Sequence, residues 1–190
     1  MKFSDEIYDL IKTRRSIRSF TDKEIPDGLL EKILQTAIWA PSGKNCQNWH
    51  FYVLKGERAN DFAKIYKDSW RFVKPTLENK LKPKILELTE KFFYTIGNAP
   101  TVILVFSDKL PGEEYITTIG SVFLAVQNIL LLANKEGIGT CVLGRVEEKA
   151  NDVKELLGVE NLEFLCGVAL GYYEKEPPEP PRKGGRIHWV

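Results

Sequence analysis

Thr101-Val102-Ile103-Leu104-Val105-Phe106-Ser107 is an unbroken run of β-branched and apolar residues of strand length. A strand with one wet face alternates polar and apolar residues, whereas this run does not alternate, so it predicts a central strand in a sheet covered on both faces. Working outward, the residues from Glu114 to Glu136 read as one long helix. Its apolar residues (Ile116, Val122, Phe123, Val126, Ile129, Leu130, Leu132) surround more than one face, the pattern of a core or interface helix. Lys135 in its last turn and Gly137 after it mark its end. On the other side, Glu57 to Gly97 is charged and helix-prone, with Phe62, Tyr66, Trp70, Phe72, Phe92, Phe93 and Tyr94 threaded through it and breaks expected at Pro75 and Pro83. It reads as a helical cover over something apolar. Trp49 to Lys55 and Glu163 to Leu170 are further strands, and Asn151 to Leu157 is a short helix. Near the N-terminus, Phe3, Ile7, Leu10 and Ile11 share a helical face that Ser4 or Asp5 can cap. Pro26-Asp27 opens a second helix that runs towards Pro41-Ser42-Gly43.

The chain has 190 residues, which predicts one domain over 1–190. Hydrophobic residues at 43% and charged residues at 28% are those of an ordinary globular chain. Lys+Arg at 27 against Asp+Glu at 26 leaves a net charge of +1, which speaks against nucleic acid as a partner. The apolar stretch Val122 to Ala133 is interrupted by Gln127 and Asn128 and reads as too short for a bilayer. The N-terminus carries acids where a secretory signal carries a basic flank, so the expectation is a cytoplasmic protein with no membrane partner. Cys46, Cys141 and Cys166 form neither a disulfide framework nor a zinc ribbon, and two histidines, His50 and His188, leave few metal or nucleophilic schemes. Each histidine sits beside aromatic and β-branched neighbours and reads as a hydrogen-bonded strand residue.

Three segments carry chemistry. Arg14, Arg15, Ser16 and Arg18 crowd three guanidinium groups and a hydroxyl into five positions, a pattern that suits phosphate and that a solvated helix end also shows. Ile17 and Phe20 tie the segment to a core. Pro41 to Trp49 is a turn-rich loop dense in amides and hydroxyls, suited to a flat heterocycle with carbonyls and ring nitrogens. In Gly137 to Gly144 the glycines at 139 and 144 stand at P-loop spacing, but Arg145 and Val146 replace the Lys and Ser/Thr that a P-loop needs. The segment also follows a helix, the wrong context for a dinucleotide fingerprint. Two readings remain for it: small residues that let backbone amides approach a ligand, or a helix C-cap followed by a strand.

RRSIRSF (14–20), APSGKNCQNW (40–49), the long apolar helix running into GIGTCVLG (137–144) and a proline-rich basic tail, in that order, resemble the nitroreductase family of FMN-dependent oxidoreductases. The resemblance implies an α+β fold with a mixed, mostly antiparallel sheet flanked by helices. It implies an intertwined homodimer formed through the long helix, with FMN at the subunit interface and an extended C-terminal arm over 171–190. Residues 57–97 fall in the place of the family's helical insertion. Carried over residue by residue, Arg14, Arg15, Ser16 and Arg18 would hold the ribityl phosphate. Pro41, Ser42, Gly43, Asn45 and Gln47 would reach the flavin from the other subunit, and Cys141, Val142, Leu143 and Gly144 would lie along the isoalloxazine with amides near N5 and O4. Arg182 or Lys183, with Arg186 behind them, would close on the phosphate. The implied reaction is ping-pong: NAD(P)H reduces the flavin at N5 and a nitroaromatic, quinone or other small acceptor takes the electrons, with no catalytic side chain and no metal.

Two positions depart from the family's pattern: Asn48 stands where proline is usual, and Val142 where tryptophan is frequent. Both are expected to alter the pocket wall. Reductive dehalogenation, flavin fragmentation and a non-catalytic FMN-binding role share the same cofactor motifs and remain alternatives.

Overall fold

The computed structural model describes residues 3–109 and 115–190. In chain order the elements are α1 (Phe3–Thr13), α2 (Asp27–Ala37), β1 (Trp49–Lys55), α3 (Gly56–Leu77), α4 (Pro83–Thr95), β2 (Thr101–Asp108), α5 (Tyr115–Lys135), β3 (Gly139–Leu143), α6 (Ala150–Leu157) and β4 (Leu162–Gly171). The sheet order is β1-β2-β4-β3 and all three ladders are antiparallel. A parallel contribution enters as one isolated bridge between Ser16 and Thr140.

β2 occupies the centre because its residues suit both faces. Val102, Leu104 and Phe106 enter one core with α3, α4 and α6, while Ile103 and Val105 enter the other with α2 and α5. The molecule is therefore the α+β, helix-flanked sheet that the resemblance implies. Opposite Val105 and Phe106 the β4 register shifts by a bulge. An extra residue there reverses the alternation, so Phe164 faces the α3 side while Cys166, Val168 and Leu170 face α5.

α5 matches the predicted long helix from Tyr115 to Lys135, and Glu114 lies outside the described residues, as does the side chain of the proposed cap Ser4. Its 21 residues are long and apolar enough to cross a membrane, contrary to the expectation drawn from 122–133, because the helix extends further towards the N-terminus. Here its inner face is core: Val122, Ala125, Val126, Ile129 and Ala133 are buried. Its outer face leaves Ile116, Phe123 and Leu124 in solvent.

The cover over 57–97 is two helices, and Pro75 does not break the first, which continues to Leu77. A proline near a helix end forfeits one backbone hydrogen bond and leaves the formed turns intact. Pro83, by contrast, opens α4 at its first position, as its fixed φ favours. On the buried face of this pair Tyr66 stacks on Phe93 with ring centroids 4.5 Å apart, and Trp70 lies 5.0 Å from the same ring. His50 is a strand residue bonded to Asp108 at 2.9 Å. His188 is not a strand residue; it lies in the exposed arm, where Ile187 and Trp189 also face solvent.

Candidate functional site

The basic segment leaves α1 and is sewn to the first residues of β3. Ile17 donates its N–H to the Thr140 carbonyl at 2.9 Å, and Ser16 bridges the same residue. Ile17 and Phe20 are buried in the core shared with α3 and α4. A Cβ at Gly139 would stand 2.7 Å from the Ile17 side chain and 2.7 Å from the Tyr173 ring. Gly139 is thus required by packing against the basic segment and not by a ligand. For 137–143 the cap-then-strand reading holds, since Gly137 takes φ 72 after α5 and β3 begins at Gly139. Gly144, past the end of β3 and without a positive φ, has no atom within 4 Å of where a side chain would start.

Arg14 and Arg18 converge on β3 from the basic segment. Burial pushes the Cys141 thiol up, and the positive charges of Arg18 and then Arg14 partly oppose that shift. Tyr66 of α3 faces the same place: burial raises its hydroxyl pKa most, followed by the nearby Cys141, while Arg18 acts in the opposite sense. Tyr66 was legible only as one of the aromatic residues in the cover. The helical spacing Phe62, Tyr66, Trp70 was the signal that these share a face.

Arg15 departs from the phosphate set. Its Nη1 donates to the carbonyls of Lys12 and Arg14, closing the C-terminus of α1, and its Nη2 lies 3.6 Å from Glu179 of the arm. Its buried Nε has no hydrogen-bond partner among the described residues. The Glu179 contact brings the arm to the basic segment. Arg182 and Lys183 follow three and four residues later, a reach of about 10 to 13 Å, and both are exposed, as is Arg186.

The polar loop lies elsewhere on the chain. Gly43 donates to Ser121 Oγ at 3.1 Å and Gln47 N–H to Ser42 Oγ at 3.0 Å, which seats the loop on the N-terminal half of α5. Lys44, Asn45 and Gln47 take φ of 53, 55 and 48, left-handed values that non-glycine residues hold only where surroundings impose them. Asn48 does not line a pocket. Its buried amide donates to Ser107 Oγ at 2.9 Å and to the Thr118 carbonyl at 3.1 Å, latching β2 to α5.

Pro41, Ser42, Gly43, Asn45 and Gln47 therefore do not meet Arg14, Ser16, Arg18 or Cys141–Gly144 within one chain. Asn134 near the other end of α5 reaches the Leu10 carbonyl of α1. From Thr117 to Asn134 the helix rises about 25 Å, and β1 and β3 are opposite edges of the sheet. One concave place on the described surface runs along Leu34, Ile38, Trp49 and Phe51, and another is lined by Asp22, Ile96 and Asn98, next to the turn that holds the end of the basic segment. The donors present, two guanidinium groups, a hydroxyl and a strand edge beside an open glycine, fit a flat anionic ligand such as FMN.

A protein of Archaeoglobus fulgidus, named as a candidate NADH dehydrogenase/NAD(P)H nitroreductase, is 35% identical over 90% of this chain and 88% of its own. The iodotyrosine deiodinase of Thermotoga neapolitana is 31% identical over 93% of each. The solved structure of a nitroreductase with bound FMN from Desulfitobacterium hafniense superposes with TM-score 0.77 at 25% identity, over 97% of this chain and 98% of that one. The family described as the nitroreductase family matches residues 11–172, a span that takes in the basic segment, the polar loop and β3 together, and the chain belongs to that family.

Proposed function

We propose that the chain is an FMN-dependent NAD(P)H oxidoreductase that reduces a small acceptor such as a nitroaromatic or a quinone, acting as a cytoplasmic homodimer. For a nitro group the balance is NAD(P)H + H⁺ + ArNO₂ → NAD(P)⁺ + ArNO + H₂O. When bound, FMN supplies the hydride acceptance and the two-electron transfer. The protein's part is positioning. Arg14 and Arg18 neutralise the phosphate, Ser16 adds a hydroxyl, and the backbone of Val142 to Gly144 offers hydrogen bonds to the ring edge.

The placement of the two half-sites at opposite ends of α5 carries this reading. Two copies paired two-fold with α5 antiparallel would set the polar loop of each against the basic segment of the other. The exposed stripe Ile116, Gly120, Phe123, Leu124 and Gln127, at spacings of four, three, one and three, supplies an apolar face for that pairing. Ile187 and Trp189 supply an arm with apolar surface to bury against a second subunit.

The test is to reconstitute the protein with FMN and follow its visible spectrum anaerobically during titration with NADH and then NADPH. Bleaching that 4-nitrobenzoate or a quinone reverses is the expected result. Flavin that neither nucleotide bleaches refutes the oxidoreductase reading and leaves a binding protein. The likeness to the iodotyrosine deiodinase gives reductive dehalogenation a place as second reading. Iodide release from an iodophenol, with no turnover of nitro compounds, would select it.

A further inference from the structure

Arg145 follows β3 in the left-handed region at φ 65. A long side chain there costs roughly 1 kcal/mol where glycine would cost little. The conformation is imposed from the C-terminal side: Val146 is buried in the core, and the Lys149 N–H closes a turn onto its carbonyl at 2.9 Å. The result is an exposed guanidinium that meets no acceptor among the described residues. The acids around it do not claim it, for Asp152 is taken by Lys149 at 2.6 Å and Glu147 and Glu148 form no ion pair with it.

Beside it the end of β3 is open. Gly144 opens on empty space and Val142 points an exposed apolar side chain outward. A guanidinium fork at the end of such a shelf pairs bidentately with a carboxylate or phosphate, and it needs no rearrangement because its backbone is already held. Arg14 and Arg18, whose charges act on Cys141, answer to the cofactor's phosphate; a third arginine beyond Gly144 pairs with no anion among the described residues.

We propose that Arg145 determines specificity, selecting ligands that bring an anionic group to the flavin face: the carboxylate of an aromatic acceptor or the 2′-phosphate of NADPH. This rests on β3 being the flavin wall.

The test measures binding to the oxidised FMN-loaded protein, which does not turn over without reductant. Perturbation of the flavin spectrum and calorimetry would give dissociation constants for 4-nitrobenzoate, the uncharged 4-nitrobenzamide, NADP⁺ and NAD⁺, in wild type and in Arg145→Ala, Arg145→Gly and Arg145→Lys. Loss of one charge-assisted pair weakens the anionic ligand about tenfold or more, with the amide changed less than twofold and Arg145→Lys recovering part of the affinity. Arg145→Gly relieves the backbone, so it separates recognition from folding and is expected to lose the anion equally. If the loss falls on 4-nitrobenzoate the anion is the acceptor's, and if on NADP⁺ relative to NAD⁺ it is the donor's; either supports the proposal. Equal weakening of charged and neutral ligands, or no weakening of any, overturns it. Failure of the functional reading is separate: the wild-type protein would not retain FMN before any ligand is added.

Discussion

Arg14, Arg15 and Arg18 carry the same guanidinium within five positions, and their surroundings divide their work. Arg15 is turned to the carbonyls that end α1, whereas Arg14 and Arg18 bear on Cys141. Arg14→Ala and Arg18→Ala are each expected to weaken FMN binding by about 10- to 100-fold, the worth of a charge-assisted hydrogen bond to phosphate. Arg15→Ala is expected to lower thermal stability more than cofactor affinity. Equilibrium binding by quenching of flavin fluorescence, read beside melting temperature, separates the two. Asn48 is a second case at this scale. Its amide bonds β2 and α5 at once, so Asn48→Ala is expected to destabilise by about 2 kcal/mol in urea unfolding, where a residue on a pocket wall would leave stability unchanged.

At the scale of elements, the basic segment is placed by the turn that ends α4 as much as by β3. Phe20 donates to the Gly97 carbonyl at 2.8 Å, and Gly97 takes φ 63. A Cβ there would stand 2.4 Å from the Arg18 carbonyl oxygen, a backbone atom that cannot swing aside. Gly97→Ala is therefore expected to push Arg18 off its position and to weaken FMN about tenfold, together with a loss of at least 1 kcal/mol in stability. Gly28→Ala in the first turn of α2 meets nothing within 4 Å and should be neutral or stabilising in both measurements. An unchanged FMN affinity in Gly97→Ala would remove α4 from the account of the site.

At the scale of the whole molecule, the exposed apolar residues of α5 and the arm are the surface that the proposed second subunit would cover. Sedimentation equilibrium is expected to give twice 21.7 kDa, and charged substitutions at Ile116 and Leu124 are expected to yield monomers that lose FMN. A flavin-loaded monomer would contradict the shared site. The interior predicts an alkaline limit. Burial raises the thiols of Cys141 and Cys166, the latter from 9.0 to about 12, and raises the Tyr66 hydroxyl as well. The folded chain keeps these protons at a pH where the unfolded chain has released them. For Cys166 the contribution is complete below pH 9 and is lost as pH rises towards 12, by up to about 1.4 kcal/mol per pH unit, and Cys141 and Tyr66 act in the same direction. Urea midpoints at roughly pH 7.5, 9.5 and 10.5 should fall once the pH passes 9, and Cys166→Ala should fall less steeply.

Pattern and order were legible in the chain itself. The unbroken run at 101–107 placed β2 at the centre, the apolar residues of 114–136 indicated a core or interface helix, and RRSIRSF with APSGKNCQNW pointed to the family and its cofactor. These follow from local chemistry, because burial periodicity and the choice of guanidinium for phosphate need no knowledge of distant residues. What met what was decided by tertiary structure. Gly139 is small because Ile17 and Tyr173 fill its place, Asn48 is a latch because Ser107 and Thr118 come to it, and Arg15 is occupied because α1 ends beside it. The polar loop and the basic segment stand towards opposite ends of α5, as β1 and β3 stand on opposite edges of the sheet. Contacts between residues tens of positions apart are set by how the layers close on one another, and no local pattern encodes that closure.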